Sequence, residues 1–281
     1  MKFITIRFFL LFIFFTSQIF LASAQKTTNI WSEKPISEKS STLKLARKSI
    51  PKQYKEYDLD LESLKNKLKN APKRKDGLNN SNVVLNFPNS NGELENFQIF
   101  ETPILEENLQ KKYPNIKSYI GKSVNKSGST IRFSVTAAGL NAMTLKNANE
   151  STFIDPYTKN KKSYLVYKKS DAPAPEEAFV CKFEDSKTSN ITAQNTAAKV
   201  ENANDGKLRT YRLAVATTGE YAQFHLTQQG VAETETEAVK KEAVLSAIVT
   251  TMTRVNGIFE RDVALTMVLV DKNTDIIFLD G

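Results

Sequence analysis

The residue types that most often do chemistry are scarce in this chain. Its 281 residues include one histidine, His225, and one cysteine, Cys181. A catalytic zinc ion needs three protein ligands and an open position for water, which these two residues cannot supply. His225 follows a predicted strand and has no second ligand close in sequence, so we interpret it as a surface or helix-start residue. The sequence therefore predicts no catalytic residue and no stoichiometric zinc site in these residues.

Motifs that would indicate other reactions are absent from the sequence. It contains no Gly-rich phosphate loop, no GxSxG nucleophile motif and no CxxC pair. The spacing of its carboxylates does not mark an acid and base pair. The content of 40% hydrophobic residues is that of a globular protein with room for one large domain or two small ones.

The N-terminus has the pattern of an export signal. Lys2 and Arg7 supply positive charge, residues 8–15 are solidly apolar, and Ala22-Ser23-Ala24 is a small-x-small cleavage signal. We therefore predict a signal peptide over residues 1–24 and a secreted, extracellular protein. An uncleaved membrane anchor is the alternative, which the short apolar core disfavours.

Charge is unevenly distributed along the chain. Residues 206–281 contain eight Lys and Arg against ten Asp and Glu, whereas residues 25–205 contain 29 against 21. The lysines are scattered through predicted turns without interleaved aromatic residues, so we predict a solvated surface and no nucleic-acid partner. Complementary charge would also favour docking of the basic part on the acidic part.

The residues between the signal and position 207 divide into three predicted parts. Residues 25–81 have little to bury apart from one short amphipathic helix around residues 59–68. Residues 82–169 alternate apolar and polar positions between Gly and Pro turns, which predicts a small, mainly antiparallel domain. The predicted strands are 83–87, 94–100, 116–120, 131–135, 141–145, 152–154 and 164–167. Residues 170–207, rich in Pro, Thr, Asn, Ala and Lys, are typical of an exposed linker that proteases cut.

The last stretch has the order strand, long helix, strand. Residues 208–216 alternate bulky apolar with polar positions, and from residue 235 the apolar positions recur at helical spacing to form one stripe. Residues 263–270 are a nearly unbroken apolar run, typical of a parallel strand covered on both faces. We therefore predict a right-handed strand–helix–strand unit, followed by a further strand over residues 276–279.

Two phrases in this stretch resemble the opening of the catalytic domain of metzincin zinc endopeptidases, in particular the reprolysin-like enzymes that bacteria secrete. They are residues 211–221, YRLAVATTGEY, and residues 254–263, RVNGIFERDV. Upstream, residues 113–121, YPNIKSYIG, and residues 153–157, FIDPY, are similar to phrases in the pro-segments of these proteases.

The resemblance implies a fold class: an α+β pro-domain with mainly antiparallel strands, followed by the incomplete start of an α/β metzincin catalytic domain. It also implies a domain order. The expected parts are a signal peptide (1–24), an N-terminal pro-segment (25–81), a pro-domain (82–169), a linker with the maturation cleavage (170–207) and the N-terminal part of the catalytic domain (208–281).

The function that the resemblance implies is that of the N-terminal part of a secreted zinc metalloendopeptidase zymogen. Its pro-domain would contact the catalytic domain and serve as inhibitor and folding aid, and the whole enzyme would act on proteins or peptides. Family members bind zinc through an HExxHxxGxxH motif, which this sequence lacks. Zinc is therefore expected in the full-length enzymes but not in these residues, which we expect to be inactive alone.

Two different functions are also open. One is a stand-alone secreted binding or inhibitor module derived from a protease pro-domain, and the other is an exported protein of another class whose strand–helix–strand unit resembles a protease by chance. A reading frame that continues beyond Gly281 into the HExxHxxGxxH motif would favour the zymogen, whereas a stop codon would favour the stand-alone module.

The same resemblance implies a candidate role for Cys181. Its thiolate could occupy the open position of the zymogen's zinc ion until the pro-segment is removed, and it follows the predicted pro-domain, as such a switch requires. Its neighbours lack the Cys-Gly pair common in the cysteine switches of related proteases. A disulfide and a buried apolar thiol are the alternatives.

Overall fold

The largest element of this computed structural model is a nine-stranded antiparallel sheet. The structure describes residues 29–35, 44–45, 50–74, 78, 80–125, 128–146, 151–172 and 205–280. In chain order the strands of the sheet are β1 (Trp31–Lys34), β2 (Lys55–Leu59), β3 (Val84–Pro88), β4 (Leu94–Glu101), β5 (Lys117–Ser123), β6 (Thr130–Thr136), β7 (Gly139–Leu145), β8 (Ser151–Pro156) and β9 (Ser163–Lys168).

The sheet curls until its two end strands approach each other. Its order is β1-β2-β9-β8-β7-β6-β5-β4-β3, so β1 and β3 lie at opposite edges. The Trp31 indole nevertheless donates a hydrogen bond from Nε1 to the Asn86 carbonyl oxygen at 2.8 Å, and Asn86 Nδ2 lies 3.4 Å from Asn29 Oδ1. The sheet is therefore barrel-like and nearly closed.

The interior of the barrel is filled by the side chains that alternation along each strand directs inward. In β6 these are Ile131, Phe133 and Val135, all of which belong to the buried interior cluster. Trp31 packs against three aromatic rings, with its ring centroid 5.8 Å from that of Tyr164, 6.1 Å from that of Phe87 and 6.3 Å from that of Tyr57. Burial of each such side chain contributes about 1.5–3 kcal/mol to the free energy of folding.

The remaining elements are not strands of the barrel. They are helix α1 (Leu61–Leu68), helix α2 (Glu107–Lys112), strand β10 (Arg209–Leu213), helix α3 (Gly219–Gln229), helix α4 (Glu237–Val263) and strand β11 (Leu265–Leu269). Helix α1 packs Leu64 and Leu68 into the interior cluster. Short 3-10 turns cover Lys169–Asp171 and Asn273–Ile276. Strands β10 and β11 pair in parallel, with Arg209 opposite Leu265 and Leu213 opposite Leu269.

Local sequence signals explain the ends of helices α3 and α4. The Thr236 hydroxyl accepts a hydrogen bond from the Val239 amide at the start of α4, and Thr218 does the same at the start of α3. Gly230 ends α3 in the left-handed region, at a φ of 69°. Helix α3 was not predicted, although its threonine cap and terminal glycine are recognisable in the sequence.

The predicted fold class, an α+β pro-domain followed by the incomplete start of an α/β metzincin catalytic domain, is wrong. The described residues form one mostly antiparallel, nearly closed nine-stranded sheet with few helices. Helix α4 lies against the outer surface of this sheet instead of opening a separate layered domain. Alternation in the sequence identifies the inward face of each strand but does not show which outward faces another element covers.

Several local predictions are confirmed. Strands β3 to β9 fall on the seven predicted runs, helix α1 lies within the predicted amphipathic segment, and β10, α4 and β11 have the predicted order with parallel pairing.

Other local predictions are wrong. Within residues 25–81, strands β1 and β2 are packed, and Trp31 and Tyr57 are only 2% and 3% exposed. Strand β11 is half-buried along most of its length instead of being covered on both faces. The predicted last strand is replaced by the turn Asn273–Ile276 and a single bridge between Thr217 and Ile277.

Candidate functional site

Helix α4 covers the outward face of strands β5, β6 and β7. The outward side chains of β6, Arg132 and Ser134, are consequently buried, with 5% and 0% of their surface exposed. Ser134 Oγ lies 3.1 Å from Thr250 Oγ1 of the helix. The closest approach is at Gly257, where a Cβ atom would lie 2.9 Å from Arg132 Cγ. A glycine is needed here because the helix backbone touches the strand.

A buried ion cluster lies next to this contact. One oxygen of the Glu260 carboxylate, Oε2, accepts a hydrogen bond from Arg74 Nη1 at 2.5 Å and another from Arg132 Nη2. The other oxygen, Oε1, is buried and has no hydrogen-bond partner among the described residues. Glu260 therefore connects helix α4 to strand β6 and to the segment that precedes β3.

The environment of Glu260 keeps this cluster charged. Burial by itself raises the pKa of the Glu260 carboxyl, but the charge of Arg132 and the hydrogen bonds from both arginines outweigh it, so the pKa lies below its ordinary value. Burial also lowers the pKa of Arg132, yet a guanidinium stays protonated throughout the physiological range. Loss of the carboxylate charge would leave two arginines buried against each other.

A second ion pair joins α4 to strand β8. Arg254 Nη2 donates to Asp155 Oδ1 at 2.5 Å, and the Tyr167 hydroxyl donates to Asp155 Oδ2 at 2.6 Å. The Arg254 guanidinium also lies 5.0 Å from the centroid of the Phe153 ring. Arg254 and Glu260 are about 1.7 turns apart along α4, so the two ion pairs fix its orientation as well as its position.

Strand β11 and the residues after it are tied to the segment between β4 and α2. Leu269 donates its amide to the Ile104 carbonyl oxygen at 2.6 Å, and the Glu106 amide donates to the Leu269 carbonyl oxygen at 2.9 Å. The Asp271 carboxylate accepts from the Asn108 and Leu109 amides, both at 3.1 Å, at the start of α2. This contact makes one apolar cluster from residues on both sides of the linker.

A cleft of about 750 Å³ opens where the ends of β7 and β8 meet helices α3 and α4. Its barrel side carries Asn141, Asp155, Lys159 and Lys161, and its helix side carries His225, Gln228, Thr250 and Arg254. Because the two sides come from separate parts of the sequence, the cleft exists only when α3 and α4 are docked on the barrel.

His225 lies in this cleft, within helix α3. Its ring centroid is 4.4 Å from that of Tyr221 and 5.1 Å from that of Phe224. Burial lowers the pKa of the imidazole, so the ring is neutral at pH 7. The structure places His225 inside a helix and not at its start, which corrects the sequence interpretation of its position.

The sequence predicted one candidate metal ligand. Cys181, the cysteine-switch candidate, is outside the described residues, as is the predicted signal peptide. The part of the chain that the structure describes contains no group of three or more His, Cys, Asp or Glu positioned to hold a metal ion. These residues do not fit a zinc ion, and no chemical step is assigned to one.

The residues of the site were not singled out from the sequence as functional. Arg132 carried no signal, because a charged residue between two apolar strand residues is the ordinary alternation of a strand with one solvent-facing side. Glu260 and Asp155 carried no signal either, since each lies beside a predicted helix end or turn where acids are ordinary. Their pairing with Arg132 and Arg254 depends on long-range packing.

Comparison with known proteins finds no counterpart for this chain. No family model, no curated protein and no solved structure matches it. None of the helices in the described ranges is long and apolar enough to cross a membrane.

Proposed function

We propose that the barrel acts as a propeptide for the segment that begins at residue 205, within the precursor of a secreted zinc metalloendopeptidase. In this role the barrel is a template on which α3, α4 and β11 fold, and it holds them in a restrained arrangement until the linker is cut. The zinc chemistry of such an enzyme is not assigned to any residue described here.

The observation that carries the proposal is the buried ion cluster of Arg74, Arg132 and Glu260. An isolated helix exposing Glu260 would keep this carboxylate hydrated, whereas the barrel supplies two guanidinium groups that replace the water. Charges placed opposite each other in this way favour a single position of the helix on the barrel.

The apolar contacts support the same role. Ile104, Leu109 and Ile116, which precede the linker, share one buried cluster with Val244 and Ile248 of α4. The helix thus obtains much of its apolar cover from the barrel side of the chain. The resemblance of residues 211–221 and 254–263 to a metzincin opening supports the assignment of the covered segment to a protease.

The localisation is part of the proposal. The predicted signal peptide supports export from a bacterium, and cleavage after Ala24 would leave Gln25 as the first residue. Mass spectrometry of the secreted protein is expected to find a mature N-terminus at Gln25. A chain that keeps residues 1–24 in the membrane fraction would contradict this part of the proposal.

Cleavage of the linker tests the propeptide role directly. A recognition sequence for a site-specific protease is inserted after Asn190, and the purified chain is cut at pH 7. The two pieces are expected to stay together through size-exclusion chromatography, because the interface is buried and charged on both sides. Separation of the wild-type pieces immediately after cutting would contradict the proposal.

A charge-reversal variant sharpens the test. Glu260→Arg places a third guanidinium beside Arg74 and Arg132, so its cut pieces are expected to separate. The matched control is Glu237→Arg on the same helix, where the glutamate side chain is 71% exposed and pairs only with Lys241. The control pieces are expected to remain associated.

A further inference from the structure

The cleft between the β8–β9 turn and helices α3 and α4 has an excess of positive groups. Lys159, Lys161 and Arg254 line it, and Asp155 is the one acidic residue among its described lining residues. Both oxygens of Asp155 already accept hydrogen bonds, one from Arg254 and one from Tyr167. The two lysines therefore have no acidic residue of their own among the described lining residues.

Neither lysine forms an ion pair within the described ranges. Lys159 is exposed, and Lys161 is half-buried at the wall of the cleft. A lysine can bury part of its stem while its ammonium group stays in solvent, so both charges remain available to a ligand. The pair thus forms a positive site whose natural complement is an anion.

The backbone holds Lys161 in an unusual conformation. Its φ is 57°, in the left-handed region that favours glycine. The turn is fixed by Asn160 Oδ1, which accepts from the Thr158 hydroxyl at 2.7 Å and from the Lys162 amide at 3.1 Å. A lysine at this position carries a conformational cost that a glycine would avoid. This cost favours a functional role for the lysine side chain.

Neutral polar groups complete the lining. The Asn141 amide and the His225 imidazole form no side-chain hydrogen bond within the part of the chain that the structure describes. An amide offers two N–H donors and an acceptor oxygen, and a neutral imidazole offers one donor and one acceptor. The two lysines add donors only, and this excess favours a ligand rich in acceptor oxygens.

We propose that this cleft binds a small organic oxyanion, with Lys159 and Lys161 contacting its carboxylate or phosphate group and with Asn141 and His225 contacting its polar remainder. The cleft volume of about 750 Å³ is that of a small-molecule site. Since the lysines belong to the barrel and His225 to helix α3, a bound ligand bridges the two parts of the chain. The inference does not depend on the propeptide role.

The single histidine of the chain provides a direct reporter of binding. The imidazole proton signals of His225 need no assignment, because no other histidine is present. The full chain at pH 7 and constant ionic strength is titrated with citrate, with glucose 6-phosphate and with glucose. Citrate or glucose 6-phosphate is expected to shift the His225 signals along a saturable curve, and the neutral sugar is not. The two anions distinguish a carboxylate site from a phosphate site.

Charge-removing variants locate the anion in the cleft. Lys161→Asn keeps a residue type that tolerates the left-handed region, and it is expected to weaken binding about tenfold, as loss of one charge-assisted hydrogen bond does. Lys159→Gln serves as a second variant if Lys161→Asn lowers the melting temperature. The control, Lys162→Gln, removes an exposed lysine of the same turn that does not line the cleft, and it is expected to change affinity less than twofold.

Two results would overturn the inference. One is that neither anion shifts the His225 signals at concentrations of about 20 mM, well above the range of typical metabolite affinities. The other is that Lys162→Gln weakens binding as much as the cleft variants do, since that would indicate attraction to the general positive charge of the barrel.

Discussion

Glu260 accepts a hydrogen bond from Arg132 although the two residues are 128 positions apart in the chain. Their side chains are only 7% and 6% exposed, so the charges are removed from water on both sides of the contact. The pair ties the end of the long helix to the middle strand of the barrel wall that it covers. It is one of the contacts through which the two halves of the protein depend on each other.

Removal of the Glu260 charge is expected to be strongly destabilising. Glu260→Gln leaves Arg74 and Arg132 buried without a counter-charge, which costs about 3 kcal/mol or more in free energy of unfolding. Urea denaturation followed by the fluorescence of Trp31, the one tryptophan of the chain, measures the change. The matched control is Glu237→Gln, which breaks an exposed pair with Lys241 and is expected to cost less than about 1 kcal/mol. Equal losses of unfolding free energy in the two variants would show that the buried cluster contributes no more to stability than an exposed ion pair does.

The strands of the barrel could be predicted from the sequence because each one carries its own alternation of apolar and polar residues. Strand β6 is an example, since Ile131, Phe133 and Val135 mark its inward face locally. Strand β1 could not be predicted in this way, because it is four residues long and only Trp31 in it is buried. Its place depends on pairing with β2 and on the packing of Trp31 against Phe87 and Tyr164, which no local pattern encodes.

The candidate site could not be predicted from the sequence for a related reason. Arg254 and Asp155 are 99 positions apart, and each has ordinary neighbours in sequence. The cleft arises only when α4 crosses the barrel at Gly257, and the side of the barrel that α4 covers is decided by packing, not by periodicity. The helix itself was predictable, whereas its partner was not.

Replacement of Gly257 by alanine, the smallest possible enlargement of its side chain, is expected to destabilise the protein. In an exposed helix, Gly→Ala would stabilise the protein by about 1 kcal/mol. Here the new methyl group would lie 2.9 Å from Arg132 Cγ. The Arg132 side chain cannot move aside, because its guanidinium is hydrogen-bonded to Glu260. The overpacking cost of about 1–3 kcal/mol is therefore expected to exceed the helix-propensity gain.

A graded pair of variants checks this balance by thermal denaturation. Gly257→Ala is expected to lower the melting temperature, and Gly257→Val is expected to lower it further because its side chain is larger and β-branched. A rise in melting temperature for Gly257→Ala would mean that the helix does not contact β6 as closely as the structure has it.

The stability of the protein is expected to fall as the pH drops from about 7.5 to 5, where a histidine titrates. Burial lowers the pKa of His225 in the folded state, so the unfolded chain binds the proton more readily. Stability is then fully present above the unfolded pKa of about 6.5 and is lost as the pH falls through it towards the folded pKa. Carboxylates such as Glu260, whose pKa is lowered, change the stability only at more acidic pH, where they become protonated.

The replacement His225→Asn isolates this effect, because the chain has no other histidine. Its melting temperature is expected to change little between about pH 5 and 7.5, whereas that of the wild-type protein declines towards pH 5. Parallel declines in the two proteins would assign the pH dependence to other groups and would contradict the buried, neutral state of His225.

Residues 208–281 are expected not to fold when they are expressed alone. In the whole chain, Ile104, Leu109 and Tyr113 cover the apolar side of this segment, and Leu105 bridges β11. Without them, two strands and two helices bury too little surface for independent stability, and Glu260 loses both of its arginines. Circular dichroism is expected to show some helix with a broad, non-cooperative melt, or the fragment is expected to be insoluble. The full chain, measured under the same conditions, should melt cooperatively. A sharp cooperative melt of the fragment would show that the barrel is not its folding template.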